Sequence, residues 1–258
     1  MPNPDITLTL IGGPTLLIET NGARLLTDPT FDAPGSYQAG AISLHKLTPP
    51  ALAADAIGEV DAVLLSHDQH FDNFDHAGRA FAARGRKTYV TPAGAVRLGG
   101  NAEGLAPWQT TALTARNGQR LHITSTPARH GPVGIEPISG DVTGFLVGRE
   151  APGDLLYISG DTVWYEGVAE VARRFDPKIV VVFAGSAEPR GHFHLTMDSN
   201  DVIATAHAFP RAKILAIHNE GWEHFKESAA DLGQAMQALG IGDRLLTLER
   251  GRPVTFKV

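Results

Sequence analysis

The sequence predicts an α/β fold, built as one domain over residues 1–258, and three observations lead there. Short apolar runs rich in β-branched residues recur along the chain. Between them lie segments whose apolar residues fall at helical spacing. Turn signals separate the two kinds of segment throughout, with no linker or low-complexity stretch to divide the chain.

The opening is all strand: Ile6 to Ile11, Thr15 to Glu19 and Arg24 to Thr27. Gly12-Gly13-Pro14 and Asn21-Gly22 separate these runs, and Asn-Gly between two β-rich segments signals a tight hairpin. Residues 28–50 carry Pro and Gly without clear periodicity and read as a loop over a site. Further strands are expected at Val60 to Ser66, Lys87 to Thr91, Arg120 to Thr126, Val142 to Gly148, Asp154 to Ser159, Lys178 to Phe183 and Lys213 to Ile217. Helical spacing covers about 74–84, 164–175, 198–209 and 224–239. Asp176-Pro177 and Phe209-Pro210 close two of these helices, because a residue before proline avoids helical geometry. Strands first, then strand and helix in alternation, imply a mixed sheet system covered by helices.

Composition narrows the chemistry. The chain has no cysteine, which removes disulfides, thiolate metal sites, iron–sulfur clusters and a thiol nucleophile together. Any metal must be held by imidazole nitrogen and carboxylate oxygen. A net charge of −6 argues against nucleic acid as the main partner, since such proteins carry a basic face for phosphates. The first residues lack the basic start and apolar stretch of a signal peptide. No apolar run approaches the roughly 20 residues of a membrane helix. The expectation is a cytoplasmic protein acting on a small molecule, with neither membrane nor nucleic acid as partner.

The informative feature is where histidines and aspartates fall. Val63-Leu64-Leu65-Ser66 runs straight into His67-Asp68-Gln69-His70-Phe71-Asp72-Asn73. The run ending at Thr126 reaches His130, and the run ending at Ser159 reaches Gly160-Asp161. Val180 to Phe183 leads through a loop to His192-Phe193-His194, and Ile214 to Ile217 ends at His218. Five strands thus deliver metal-type ligands just beyond their C-terminal ends, where open α/β sheets form their crevice. Taken singly, Asp72, Asn73 or Asp161 could instead cap the helices that follow. The conjunction favours a shared cation, because buried imidazoles and carboxylates need partners. His45, His76, His122, His207 and His224 lack this placement and read as surface or packing residues.

Taken together, His67 to Asn73, Ser159-Gly160-Asp161-Thr162 and the late His218 resemble the metallo-β-lactamase superfamily. Thr27-Asp28-Pro29, His130 after Thr-Pro-Ala and Leu195-Thr196-Met197 resemble its branch containing L-ascorbate-6-phosphate lactonase and similar metal-dependent hydrolases. The resemblance implies a four-layer αββα sandwich with zinc or manganese, one or two ions per chain, at one edge of the sheets. It implies that His67, His70 and His130 hold a first ion, Asp72 and His218 a second, and that Asp161 bridges them. The family pattern is His-x-His-x-Asp-His; here one extra residue intervenes and Asn73 replaces the last histidine. An amide oxygen binds zinc more weakly than imidazole, so three alternatives stand for the second position: a weak site, a site for manganese, or a site completed by His194 from another loop.

Three histidines with a carboxylate leave an open position for water, as catalytic zinc sites do, and a bound metal lowers that water's pKa toward about 7. The expected activity is hydrolysis of an ester-like bond: lactone, phosphoester or amide. Asp72 would orient the water or take its proton, and His192 or His194 would serve the oxyanion or the leaving group. Two other readings stand beside it: a phosphodiesterase or nuclease on the same scaffold, and a metal-dependent metabolite-binding protein without turnover. No Gly-x-Gly-x-x-Gly follows a strand and no Gly-x-Ser-x-Gly elbow occurs, which disfavours dinucleotide and serine-hydrolase chemistry.

Overall fold

The computed structural model describes residues 5–258. Its first sheet opens with the three expected strands, β1 (Asp5–Gly12), β2 (Thr15–Thr20) and β3 (Ala23–Thr27). Asn21 and Gly22 both take positive φ, 51° and 73°, as the tight turn between β2 and β3 demands. A separate two-stranded hairpin follows, β4 (Gly35–Ala39) with β5 (Ile42–Lys46), and then the short helix α1 (Ala54–Ile57). Residues 28–50 are therefore not a plain loop: half of them form a ribbon. The first sheet continues through β6 (Ala62–Leu64), α2 (His76–Arg84), β7 (Thr88–Val90), α3 (Pro92–Leu98) and β8 (Ala102–Gly104).

The second sheet begins with β9 (Thr110–Thr114) and β10 (Arg120–Pro127). A short helix α4 (Glu136–Ser139) precedes β11 (Thr143–Gly148) and β12 (Leu156–Ile158). Then α5 (Glu166–Arg174), β13 (Ile179–Phe183), α6 (Ser199–Ala208), β14 (Lys213–Ile217) and α7 (Ala229–Ala238) alternate, before β15 (Leu245–Leu246). The last strand, β16 (Val254–Lys257), returns to the first sheet beside β1.

Among the described residues each of the two large sheets has seven strands, ordered β16-β1-β2-β3-β6-β7-β8 and β15-β14-β13-β12-β11-β10-β9. Both are mixed: β3-β6-β7-β8 and β12-β13-β14-β15 run parallel, and the remaining neighbours are antiparallel, β10 and β11 included although α4 lies between them. The two-residue period of a strand explains the layers. Along β13, Ile179, Val181 and Phe183 point into a core shared with Leu8, Leu16, Ile18 and Leu25 of the first sheet. Val180 and Val182 point the other way, against Val168 and Val171 of α5, Val202 and Ala206 of α6 and Met236 of α7. On the far side, Val63 and Leu65 meet Phe81 and Ala82 of α2, with Phe74. The result is helix, sheet, sheet, helix: the four-layer αββα sandwich. Strands buried on both faces read in sequence as unbroken apolar runs, which is why β13 and β14 were legible.

Helix starts differ from the sequence reading in informative ways. Neither Asp72 nor Asn73 caps α2; Asp75 does, accepting from Gly78 N at 2.8 Å. The segment read as helix from residue 224 becomes helical only at Ala229, where Ser228 and Asp231 form a reciprocal capping box. That leaves residues 219–228 as a loop, with consequences for the site.

Candidate metal centre

The loops after β3, β6, β10, β12 and β14 meet at one edge of the sandwich, and local geometry fixes each of them. Asp28, directly after β3, accepts from Ser66 N at 2.7 Å and so anchors the residue before His67. Burial raises the Asp28 pKa well above the usual carboxylate range, against the Ser66 hydrogen bond. Ser66 O in turn accepts from Thr143 N at 3.0 Å, tying the two sheets together. Gly160 stands at this junction with φ 62°, and a Cβ there would lie 2.5 Å from Thr143 O and 2.9 Å from Ser66 Cβ. Only glycine permits the approach, and it places Asp161 between the sheets.

Four residues converge. His67 Nε2 lies 2.9 Å from His70 Nδ1, and His130 Nε2 lies 3.1 Å from the same atom. Asp161 Oδ2 is 3.3 Å from His130 Nε2 and 4.0 Å from His67 Nε2. One ligand atom from each of these four residues lies within 4.8 Å of all the others. His130 donates Nδ1–H to Leu195 O at 2.7 Å, so its Nε2 turns a lone pair inward. His67 Nδ1 meets Ser66 Oγ at 2.9 Å. Burial, and after it His70, pushes the His67 pKa well down; burial, and after it His130, pushes His70 down to about 4.

Asp72 and His218 stand beside this group. His218 Nε2 is 3.5 Å from Asp161 Oδ1 and 3.8 Å from Asp72 Oδ2. Asn73 Nδ2 donates to Asp161 Oδ1 at 3.2 Å. Burial opposes ionisation of both carboxylates, but the surrounding imidazoles outweigh it and hold Asp72 and Asp161 far below the usual range. Burial likewise opposes the proton on His218, yet Asp161 and Asp72 raise its pKa. His218 itself has φ 60°, a left-handed conformation uncommon for a β-carbon residue, held by its N–H donating to Gly13 O at 2.9 Å.

These residues fit a divalent cation. His67 Nε2 and His130 Nε2 both lie within hydrogen-bonding distance of His70 Nδ1, which can donate to only one of them, so lone pairs face one another without relief. Neutral imidazoles and ionised carboxylates are the protonation states that metal binding requires. The extra residue of the motif does no damage: Gln69 turns away to Asp141 at 2.7 Å, and Asp68 pairs with Arg97 at 2.6 Å.

His194 and His192, the other expected residues, are placed less centrally. His194 Nε2 faces Asp201 at 3.2 Å, and Nδ1 lies 3.9 Å from Asp198. Both of those carboxylates also serve the backbone, Asp198 as the cap of α6 and Asp201 as acceptor from Trp164 N. His192 is fully exposed. Trp164 and Tyr165 pack toward the helices over the second sheet, whereas Trp222 joins a wall with Tyr37 and Phe71, ring centroids 5.4 Å apart in each pair with Tyr37. Sequence reasoning missed His224. Its place in the sequence suggests a surface or packing residue, but it is buried with Nε2 3.0 Å from Asp72 Oδ2. Its only sequence signal was the capping box four residues later, which marks the helix start and leaves His224 in the loop.

The fold and the His/Asp group define a protein of the metallo-β-lactamase superfamily, and the class is that of metal-dependent hydrolases. The family profile described as β-lactamase superfamily domain matches residues 23–219, and the chain belongs to that family. It is similar to the UPF0173 protein YddR of Bacillus subtilis, 26% identical over 96% of this chain and 99% of that one. A UPF0173 metal-dependent hydrolase of Pyrobaculum aerophilum is 22% identical over 88% of this chain and 90% of its own length. The solved isothiocyanate hydrolase from Delia radicum gut bacteria superposes with a TM-score of 0.82 at 26% identity, covering 98% of this chain and 100% of that one.

Proposed function

We propose that the protein hydrolyses an ester-like bond, a lactone, phosphoester or amide, in a small molecule carrying an apolar group, with zinc or manganese as cofactor. The observation that carries this reading is the convergence of His67, His70, His130 and Asp161 within 4.8 Å at the sheet edge. A divalent metal held there would polarise the scissile group and lower the pKa of an attacking water. Protein side chains supply the rest.

Asp72 stays ionised and offers Oδ1, which is buried and without a hydrogen-bond partner, to orient the water and take its proton. Leu195 O fixes the His130 ring by accepting its Nδ1 proton. His194, whose pKa is raised by the hydrogen bond to Asp201, is our candidate donor to the leaving group. Tyr37 and Phe71, backed by the buried Trp222, would receive the apolar part of the substrate and exclude water. We take the working compartment to be the cytoplasm on the sequence reading; no helix among the described residues is long and apolar enough to cross a membrane.

A second reading draws support from the likeness to the isothiocyanate hydrolase together with the aromatic wall. Water would add to the central carbon of an isothiocyanate, and the adduct would break its C–N bond to release an amine and carbonyl sulfide.

Turnover by zinc- and manganese-loaded protein should be measured on a lactone, a p-nitrophenyl ester, an anilide, bis(p-nitrophenyl) phosphate and benzyl isothiocyanate. Turnover of an ester-like substrate, abolished in folded Asp161→Ala, supports the first reading; turnover of the isothiocyanate alone supports the second. Saturation with either metal and no product from any of the five would sink both.

A further inference from the structure

Five buried polar atoms around Asp72 have no hydrogen-bond partner: Asp72 Oδ1, Asn73 Oδ1, both ring nitrogens of His218, and Nδ1 of His224. Such atoms are rare in folded proteins, and a cluster of them points to something that should lie among them. Asp72 Oδ2 sits between two imidazoles, 3.0 Å from His224 Nε2 and 3.8 Å from His218 Nε2. Asp161 Oδ1 lies 3.5 Å from that same His218 nitrogen. Asn73 uses its amide nitrogen on Asp161 and leaves only a carbonyl oxygen to offer, a poorer ligand than imidazole for a borderline cation.

We infer that His224 supplies the imidazole that Asn73 lacks, completing a second divalent-cation position with Asp72, His218 and Asp161. This rests on the reading that His67, His70, His130 and Asp161 hold the first ion. The backbone is built to hold His224 in that place. Glu188 N donates to His224 O at 3.0 Å, Glu223 N to His45 O at 3.1 Å and Leu47 N to Gly221 O at 2.7 Å. The loop is thus pinned by β5 on one side and by the segment after β13 on the other. Trp222 and Phe225 flank the ring, with centroids 6.0 and 4.6 Å from it. His194, the alternative imidazole, commits Nε2 to Asp201 at 3.2 Å and belongs to a separate group with Asp198 and Asp201.

The test is metal binding by the full chain, stripped with chelator and titrated with Zn2+ alone, followed by calorimetry and elemental analysis. Wild type should take two ions per chain. His224→Gln keeps a hydrogen-bond donor for Asp72 but no imidazole, and should retain the first ion while weakening the second about 100-fold or more, beyond what loss of a supporting hydrogen bond alone does. Asn73→His in the His224→Gln background should restore the second ion. Two ions with unchanged affinities in His224→Gln would overturn the inference, as would a single ion in wild type. No ion at all would overturn the first-site reading as well, so the two failures are distinguishable. Should His224→Gln not fold, the Co2+-loaded wild type still decides. Five paramagnetically shifted imidazole N–H signals are expected, and four would contradict the assignment.

Discussion

Asp75 offers the sharpest structural perturbation, because one carboxylate holds the metal-site loop, α2 and the β4–β5 hairpin together. It is fully buried and takes four donors. Phe31 N and Gly78 N reach Oδ1 at 3.0 and 2.8 Å, and Asp32 N and Lys46 Nζ reach Oδ2 at 2.7 and 3.0 Å. Lys46 closes β5 and is itself only 5% exposed at the side chain. Asp75→Ala would strand that ammonium in the interior, and removing one partner of a buried pair costs about 3–5 kcal/mol. Loss of the α2 cap adds about 1 kcal/mol. A total of roughly 4–6 kcal/mol corresponds to a fall in Tm on the order of 10–20 °C for a chain of this size. Removing both charges is different in kind: Lys46→Met with Asp75→Leu leaves no lone ion, and should recover at least half of the loss. Calorimetry of the wild type, the single and the double variant measures this. A single variant within about 3 °C of wild type, roughly 1 kcal/mol, would refute the reasoning.

Four further outcomes are expected. In metal-free protein, His70 and His67 titrate below the unfolded value near 6.5, so the unfolded chain binds more protons between about 4 and 6.5. Stability should therefore fall with decreasing pH through that window by about 1.4 kcal/mol per unit for His70, with His67 adding in the same direction. His218, with its raised pKa, contributes stability that is lost only as pH rises above about 6.5, so denaturant midpoints of chelator-treated protein should peak near there; a flat profile from pH 5 to 8 would contradict it. Asp72→Ala should lower kcat by about 10²–10⁴ with the first ion still bound, checked by kinetics beside elemental analysis. Tyr37→Ala should raise KM more for substrates with larger apolar groups, and an equal effect across a chain-length series would exclude the aromatic wall. Gly160→Ala should cost about 2–4 kcal/mol through its left-handed backbone and the contact with Thr143 O, read by urea unfolding.

Much of this architecture was legible in the residues, for a physical reason. Strands buried on both faces write continuous apolar runs, and the ligands follow directly where those runs stop, as His67 follows Ser66 and His218 follows Ile217. The hairpin at 35–46 was not legible. Its strand Gly-Ser-Tyr-Gln-Ala has no apolar face to mark it in the sequence, and Tyr37 is the side chain of that strand that packs on Phe71 and Trp222. The helix α3 carried a readable start, Thr91 capping with Pro92 in the first turn, but only seven residues from which to judge period. His224 escaped because its position depends on a loop pinned by distant backbone partners, and spacing along the chain carries no record of such contacts.

The central claim is that His67, His70, His130 and Asp161 share one divalent cation, and an anomalous difference map from zinc-loaded crystals tests it most directly. The strongest peak should lie among His67 Nε2, His70 Nδ1, His130 Nε2 and Asp161 Oδ2, and vanish in Asp161→Ala crystals or after chelation. Zinc-saturated crystals with no peak there, or with the strongest peak at His194, Asp198 and Asp201, would contradict the account.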